Sequence, residues 1–410
     1  MDVLYPRCCG LDVHKRTVVA CLILTPPSGP ATKTVRTFGT MTNDLLALAD
    51  WLTSAGCTHV AMESTGVFWR PIYNLLEGLF ALLVVNAQHL KAVPGRKTDV
   101  RDAEWIADLL RHGLVRASCV PPTPQREVRE LTRTRTTLVE ERARIVNRIQ
   151  KVLEDANLKL AAVATDITGL SARAMLDALL GGETDPDTLA DLARGKLRSK
   201  RDQLAQALAG RLRSHHQFLL SEHLAHLDYL DEAIARFSDE IAQRLQPQGA
   251  QTALLDTIPG VSQRTAEILV AEIGTDMSRF PSARHLASWA GMCPGNNESA
   301  GKRRSGKTRK GSRWLRQVLI EAAHAAARTK DTYLSAQYHR LAARRGTKKA
   351  LVALGHTILV IVYYVLSRGV PYHELGGNYF DERQRQAVEH RLVRRLEQLG
   401  YQVTLQPAVA

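Results

Sequence analysis

Asp99 and Asp102 stand three residues apart at the head of a segment in which Val100, Ala103, Ile106, Ala107 and Leu110 recur at helical spacing. Residues three apart share a helix face, so the two carboxylates point at one spot, where like charges repel unless a cation lies between them. A hard divalent ion such as Mg²⁺ takes oxygen ligands of this kind. A helix N-terminus, where the dipole favours aspartate, explains the same pair without any chemistry. Two upstream acids weigh against that plainer reading. Asp12 falls in a strand-like run, where aspartate is depleted, and once buried it requires a partner or a metal. Glu63 closes the strand-like Thr58-His59-Val60-Ala61-Met62-Glu63, and sites in α/β sheets collect at strand carboxyl ends. Much further on, Ser299 lies in Asn296-Asn297-Glu298-Ser299-Ala300-Gly301-Lys302, among small residues and cations. Its chemistry admits both an ordinary loop serine and a nucleophile.

The elements that must bring these residues together can be read in chain order. Residues 8–24 read as strand, polar turn and strand, with a third strand over 34–38. Thr42 or Asn43 caps a helix carrying Leu45, Leu46, Leu48, Ala49 and Leu52 that stops at Gly56. A strand at 58–63, a helix over 68–77, the apolar strand Ala81-Leu82-Leu83-Val84-Val85 and the Asp102 helix follow. Leading strands followed by alternating helix and strand predict an α/β layer with a mixed sheet, on which Asp12, Glu63, Asp99 and Asp102 converge from separate elements. Pro121, Pro122 and Pro124 mark a boundary. Beyond it Leu131, Leu138, Ile145 and Val152, and later Leu227, Ile234 and Ile241, recur every seven residues. That is the pattern of two long helices with coiled-coil character, joined distally by 161–213. Arg133, Arg135, Arg142, Arg144 and Arg148 line the first of them; such a row is either a solvated face or a track for a phosphate backbone.

Next, Ile258-Pro259-Gly260-Val261 separates two helical stretches. It has the form of a helix-hairpin-helix turn, whose backbone N–H groups meet a DNA phosphate, and equally of a plain connector. The segment 302–316 then carries Lys302, Arg303, Arg304, Lys307, Arg309, Lys310, Arg313 and Arg316 and no acid. So many positive charges repel one another unless a polyanion crosses them. Gly291, Gly295, Gly301, Gly306 and Gly311 are expected to keep the surrounding backbone flexible. Helices over 314–328 and 350–366 and a tail over 381–399 are expected to supply the last domain's core.

At 410 residues the chain supports two or three domains with real cores. An excess of 55 Lys+Arg over 41 Asp+Glu, net +14, points to nucleic acid as partner. Aromatics at 5% argue against a surface built mainly of base-stacking platforms. Cys8, Cys9, Cys21, Cys57, Cys119 and Cys293 form no metal-ligand spacing and read as buried small hydrophobes in a reducing compartment. No signal-peptide pattern opens the sequence. The apolar 350–366 stretch contains Gly355, His356 and Thr357 and reads as a core helix rather than a membrane span. A soluble cytoplasmic protein is expected.

Asp12, Glu63, Asp99 and Asp102, in that order on those elements, resemble the acidic tetrad of RuvC-like, ribonuclease H-fold nucleases. Local motifs narrow the likeness: Gly10-Leu11-Asp12-Val13-His14-Lys15, Glu63-Ser64-Thr65-Gly66, Lys97-Thr98-Asp99-x-x-Asp102-Ala103, Ile258-Pro259-Gly260-Val261 and Ser299-x-Gly301-Lys302. Together they are similar to the DEDD recombinases of the insertion-sequence family numbered one-hundred-and-ten, also called bridge-RNA-guided recombinases, over residues 9–372. The resemblance implies an α/β plus α chain. Its parts are an RuvC-like DEDD catalytic domain (1–120), a coiled-coil helical domain (121–248), a transposase domain with helix-hairpin-helix and serine loop (249–375) and a helical tail (376–410).

The resemblance further implies two Mg²⁺ ions, replaceable by Mn²⁺, on Asp12, Glu63, Asp99 and Asp102, with Ser299 as nucleophile. Ser305 competes for that role, and Ala300 departs from the family, where many members carry glycine. Nucleic-acid contacts then fall to Lys97, Pro259, Gly260, Lys302, Arg303, Arg304, Lys307, Arg309, Lys310 and Arg313, and to Arg133, Arg144 and Arg148 of the first long helix. The implied partners are donor and target double-stranded DNA, an element-encoded guide (bridge) RNA and further copies of the chain, as a dimer and on DNA a tetramer. The implied setting is a bacterial cytoplasm, at the nucleoid, with no membrane. The expected reaction is strand exchange through a covalent phosphoserine, in a site assembled from two domains. A RuvC-like nuclease or Holliday-junction resolvase using water would need the acids but not Ser299. A non-catalytic nucleic-acid scaffold would need neither.

Overall fold

The opening strands pair as their tight turn dictates. β1 (Arg7–Val13) and β2 (Thr17–Leu24) form an antiparallel hairpin from Val13↔Val18 to Arg7↔Leu24, and β3 (Thr32–Gly39) adds antiparallel to β2. They begin the first of two units, Met1–Pro121 and Pro122–Ala410, in a computed structural model that describes residues 2–64, 66–86, 102–295 and 297–406. After α1 (Thr42–Ser54), β4 (His59–Glu63) runs parallel to β1. After α2 (Trp69–Leu76), β5 (Ala81–Val85) runs parallel to β4, and the strand order is β3-β2-β1-β4-β5. The mixed sheet is the one the sequence predicts.

Side chains alternate faces along a strand, and the cores follow. Cys9, Leu11 and Val13 join Leu45, Leu48 and Leu52 of α1 and Ile72 and Leu76 of α2 in one layer. Cys8, Cys21, Ile23 and Ala61 pack on the other face against Ala103, Ile106 and Leu110 of α3 (Asp102–Arg111). Cys8, Cys9, Cys21 and Cys57 are buried thiols. Burial pushes the Cys8 thiol up to about 12 and the Cys21 thiol to about 11, so they are inert packing residues. Cys119 departs from the expectation and is exposed.

In the second unit α4 (Thr123–Asp155) leads to a module of α5 (Leu160–Val163), α6 (Leu170–Leu180), α7 (Pro186–Asp191) and α8 (Arg201–Leu208), and α9 (Ser214–Arg244) returns. The two long helices lie antiparallel: Arg244 pairs with Glu127 at 2.6 Å, Arg142 with Asp231, and His216 with Asp155 at 2.8 Å. Ile145, Ile149, Leu153, Leu220, Leu224 and Leu227 share a distal core with the α5–α8 module, so the stretch expected as a mere connection is a folded module. Val128, Ile241 and Leu245 belong instead to a second, proximal core.

That proximal core is built from α10 (Gly249–Asp256), α11 (Gln263–Ile273), α12 (Ala283–Trp289), α13 (Arg313–Arg328), α14 (Tyr333–Arg345) and α15 (Thr347–Arg368); the strands β6 (Asn297–Ser299) and β7 (Lys302–Ser305) come between α12 and α13 in the chain. Among the described residues α15 alone is long and apolar enough to cross a membrane; its Leu351, Leu354, Ile358, Leu359 and Val362 are buried in the core, as expected of a core helix. The tail differs from expectation. α16 (Tyr379–Arg383) and α17 (Arg385–Gln398) bury no residue, and Leu392 and Leu396 are exposed. The spacing of their apolar residues is helical, but their many charges keep both helices out of the core.

Candidate functional site

Gly10 sets how close α3 comes to the sheet. A Cβ at this position would stand 2.3 Å from the Ala103 carbonyl oxygen and 2.4 Å from the Ala107 nitrogen, so helix backbone rests directly on β1. Asp12, two residues on, faces the same side. The parallel register ends at Leu11↔Met62, which sets Glu63 beside Asp12, and α3 is described from Asp102 onward. The three acids feel one another. Burial raises the Asp12 carboxyl above the usual range, His14 lowers it, and the charges of Asp102 and Glu63 raise it further. His14 Nε2 lies 3.1 Å from Asp12 Oδ2. This residue is one that sequence reasoning passed over, although its place two residues after Asp12 is a signal. Asp99 and Lys97 lie outside the described residues.

A carboxylate raised by burial and, in smaller part, by neighbouring acids is what a divalent cation relieves, so the donor set suits a hard metal. Among the described residues the only group of three or more His, Cys, Asp or Glu ligand atoms all within 4.8 Å of one another is Asp155, His215 and His216. Asp12, Glu63 and Asp102 are therefore spread more widely than a single closed ligand set. The Asp155 group has another explanation. His216 Nδ1 accepts the Arg213 N–H at 3.3 Å, which leaves the ring proton on Nε2 facing Asp155 and makes the pair a tie between helix ends. We expect Gly10→Ala to lift α3 off the sheet at a cost of about 1–3 kcal/mol. A thermal melt should show the loss of stability, and a Mn²⁺ titration should show weakened binding in the same variant.

Ser299 sits in a β-hairpin rather than a flexible loop. Ser299 pairs with Lys302, and the two residues between them, Ala300 (φ 51°) and Gly301 (φ 72°), both take the left-handed conformation that a two-residue turn of this twist requires. Below the strands Gly295 N–H donates to the Lys307 carbonyl at 2.8 Å. At the base, a Cβ on Gly291 would lie 2.8 Å from the Arg309 carbonyl oxygen, and Arg316 donates to the Gly291 carbonyl at 2.8 Å and to Thr308 Oγ1. The glycine at 291 thus provides close backbone contact, not the expected looseness, and Arg316 is a brace. Lys302, Lys307, Arg309, Lys310 and Arg313 are exposed; Ser305 ends β7. Alanine is strained at a positive φ. Ala300→Gly should therefore stabilise the hairpin by up to about 1 kcal/mol, read as slower amide hydrogen exchange over 297–305.

Three arginines of the row on α4 are neither of the two things expected of it. Arg133 donates to Glu272 from Nε at 2.7 Å and Nη2 at 3.0 Å, Arg135 Nη1 to Glu267 at 2.7 Å, and Arg142 to Asp231. Arg129 donates to the Ala271 carbonyl at 3.1 Å, beside the end of α11. These guanidinium groups stitch α4 to α9 and α11, so Arg133 is not the free phosphate contact the sequence suggested; Arg144 and Arg148 remain exposed. Gly260 is likewise turned to protein. At φ +84°, its missing Cβ would stand 2.4 Å from the Ala322 carbonyl oxygen and 2.5 Å from the Ala326 nitrogen of α13. Its close approach serves helix packing where a phosphate contact was expected, while Pro259 beside it stays partly exposed.

The sequence matches two family models: one described as a transposase, of the DEDD type of IS110, over residues 9–158, and one described as the transposase IS116/IS110/IS902 family over residues 252–339. The pilin gene-inverting protein of Moraxella bovis is 30% identical over 157 residues, 35% of this chain and 48% of that protein. A putative transposase, y4pF/y4sB, of Sinorhizobium fredii is 25% identical over 286 residues, 68% of this chain and 65% of the relative. A protein of insertion element IS110 from Streptomyces coelicolor is 34% identical over 122 residues, 29% of each chain. The chain thus spans about half the length of the pilin gene-inverting protein and under two thirds of the other two.

Proposed function

Because this chain belongs to the IS116/IS110/IS902 family of transposases, we propose that it is a DNA recombinase that cuts and rejoins strands through a covalent bond to Ser299. Asp12, Glu63, Asp99 and Asp102 would hold Mg²⁺, with Mn²⁺ as a substitute. The observation that carries this reading is the convergence of Asp12, Glu63 and Asp102, whose charges act on the Asp12 carboxyl. The spread of these acids suits a pair of ions better than one. When bound, the metal supplies electrostatic stabilisation of the charge that develops on the phosphate.

The remaining work falls to the chain. Ser299 Oγ attacks the phosphorus, and the Oγ–P bond forms as the P–O3′ bond breaks. The serine proton ends, net, on the released 3′ oxygen. The resulting 5′-phosphoserine keeps the energy of the broken bond, so attack by a different 3′-hydroxyl rejoins the strands without further input. Exposed Lys302, Lys307, Arg309, Lys310 and Arg313 neutralise nearby phosphates, helped by Arg144 and Arg148. The seven-residue spacing of α4 and α9 is spent on packing these two helices together within one chain, so copies would join through other surfaces into a dimer, and a tetramer on DNA. A guide RNA encoded by the element pairs with donor and target DNA and so takes over sequence choice. The setting is the bacterial cytoplasm.

The test is to incubate the protein with labelled double-stranded DNA in Mg²⁺ and stop the reaction in detergent. Label should travel with the protein, linked through a 5′ phosphate, and chelation should abolish it. DNA cut with free ends and never attached to protein would identify a nuclease that uses water. Sequencing the nucleic acid that co-purifies should return one discrete RNA, and random fragments would remove the guide from this reading.

A further inference from the structure

Where α4, α11 and α13 meet there is a cavity of about 260 Å³. Val139, Ile268 and Val318 give it an apolar lining and Trp314 an aromatic one. Charges of both signs stand around it: Arg135 and Arg264, Glu140 and Glu321. Gln317 Nε2 donates to each glutamate at 3.1 Å and holds the two carboxylates in place. Arg135 is the unusual member. Its side chain is 2% exposed, and Nη1 donates to Glu267 at 2.7 Å, yet Nε and Nη2 make no hydrogen bond. An unmet buried donor is costly to leave in a fold; here the two lie behind the wall, and Arg135 lends the cavity its packing and charge rather than those N–H groups.

The chemistry of the wall selects its occupant. Arg133 and Arg135 of the lining are paired with Glu272 and Glu267, so a phosphate meets Glu140 and Glu321 with Arg264 alone to offset them, and a purely apolar molecule leaves the charged rim unmatched. A flat aromatic ring with hydrogen-bond donors on one edge and acceptors on another matches all of it, and among nucleobases guanine does so best. Its N1–H and N2–H₂ lie side by side for a carboxylate, and its O6 and N7 lie side by side for a guanidinium. The volume, below the usual range for whole small molecules, suits one base.

We propose that this cavity receives a single unstacked guanine of the nucleic acid the protein handles. Glu140 and Glu321 accept from its Watson–Crick edge, Arg264 donates to O6 and N7, and Trp314 stacks on the ring. The proposal rests on the nucleic-acid-handling part of the function above. RNA and DNA offer the same base, and the experiment separates them.

Full-length protein is titrated with labelled pentamers UUGUU, UUAUU and UUIUU (I, inosine), and with the DNA forms TTGTT and TTATT. Guanine should bind at least about fivefold tighter than adenine, since each good bidentate contact discriminates by about that much or more. Inosine, lacking the 2-amino group, should lose part of the gain. Arg264→Ala and Glu321→Gln change exposed residues, so both should fold, which melting curves check. Each should erase the preference while total affinity, set elsewhere by exposed cations, stays within about twofold. The sugar series that shows the preference names the strand. Equal binding of guanine and adenine in both series, or a preference that survives both variants, overturns the proposal. Loss of the Ser299–DNA adduct with the guanine preference intact would instead sink strand exchange and leave the pocket standing.

Discussion

Under the proposed mechanism, Asp12→Asn should give a protein that melts higher than the native sequence in metal-free buffer at neutral pH, yet forms the proposed Ser299–DNA adduct about a thousandfold more slowly in Mg²⁺. The first half follows from the raised Asp12 carboxyl. A group that binds its proton more tightly folded than unfolded destabilises the folded state once both are ionised, and that cost fades as pH falls through the raised folded value. Asparagine removes the charge at every pH, so the variant's stability should also vary less between mildly acidic and neutral solution. The second half follows from losing a ligand whose metal contributes several kcal/mol of charge stabilisation in the transition state. The paired measurement is decisive. An unchanged melt means that burial and the neighbouring acids do not raise the Asp12 carboxyl as described, and an unchanged adduct rate means that Asp12 holds no metal.

Glu267→Ala should be among the most damaging substitutions in the second unit, costing about 3–5 kcal/mol. Arg135 and Glu267 are 2% and 8% exposed and lie 2.7 Å apart; truncating the acid strands a buried guanidinium that already lacks partners at Nε and Nη2. A fall in melting temperature of about 10 °C corresponds to that loss in a unit of this size. The double change Arg135→Met with Glu267→Leu should recover most of it, because an apolar pair of similar volume carries no desolvation cost. If the double variant is as unstable as Glu267→Ala alone, packing rather than stranded charge sets the effect.

How much of this could be read from the sequence depended on whether the signal was local. The five-stranded sheet was legible because the β-branched apolar run after the polar turn in 8–24 and the apolar run 81–85 are internal to each strand. The expectation that Asp12, Glu63 and Asp102 share a neighbourhood also came out of strand order and helix placement. What remained hidden was tertiary. Nothing near Arg133 or Arg135 announces that Glu272 and Glu267, more than a hundred residues away, will take their guanidinium groups. β6 and β7 escaped notice because Asn297-Glu298-Ser299 and Lys302-Arg303-Arg304-Ser305 lack apolar alternation; their pairing is set by the turn at Ala300 and Gly301 and by the close backbone contact of Gly291. Gly10 was quoted as part of a motif, but only packing reveals that it admits a helix backbone.

The antiparallel course of α4 and α9, with one core at each end, makes the outer helical module a cassette. Arg142 and Asp231 face each other across the pair, and residues 143–230 leave and return at the same place, carrying the distal core with them. Length can therefore be removed or added in matched seven-residue steps on both helices, at about 1.5 Å per residue, without disturbing how the proximal helices meet. An unmatched change of even a few residues would rotate one helix against the other and break every cross-pair at once. Insertions and deletions tolerated in this protein should come as symmetric pairs flanking the module or as exchange of the module whole.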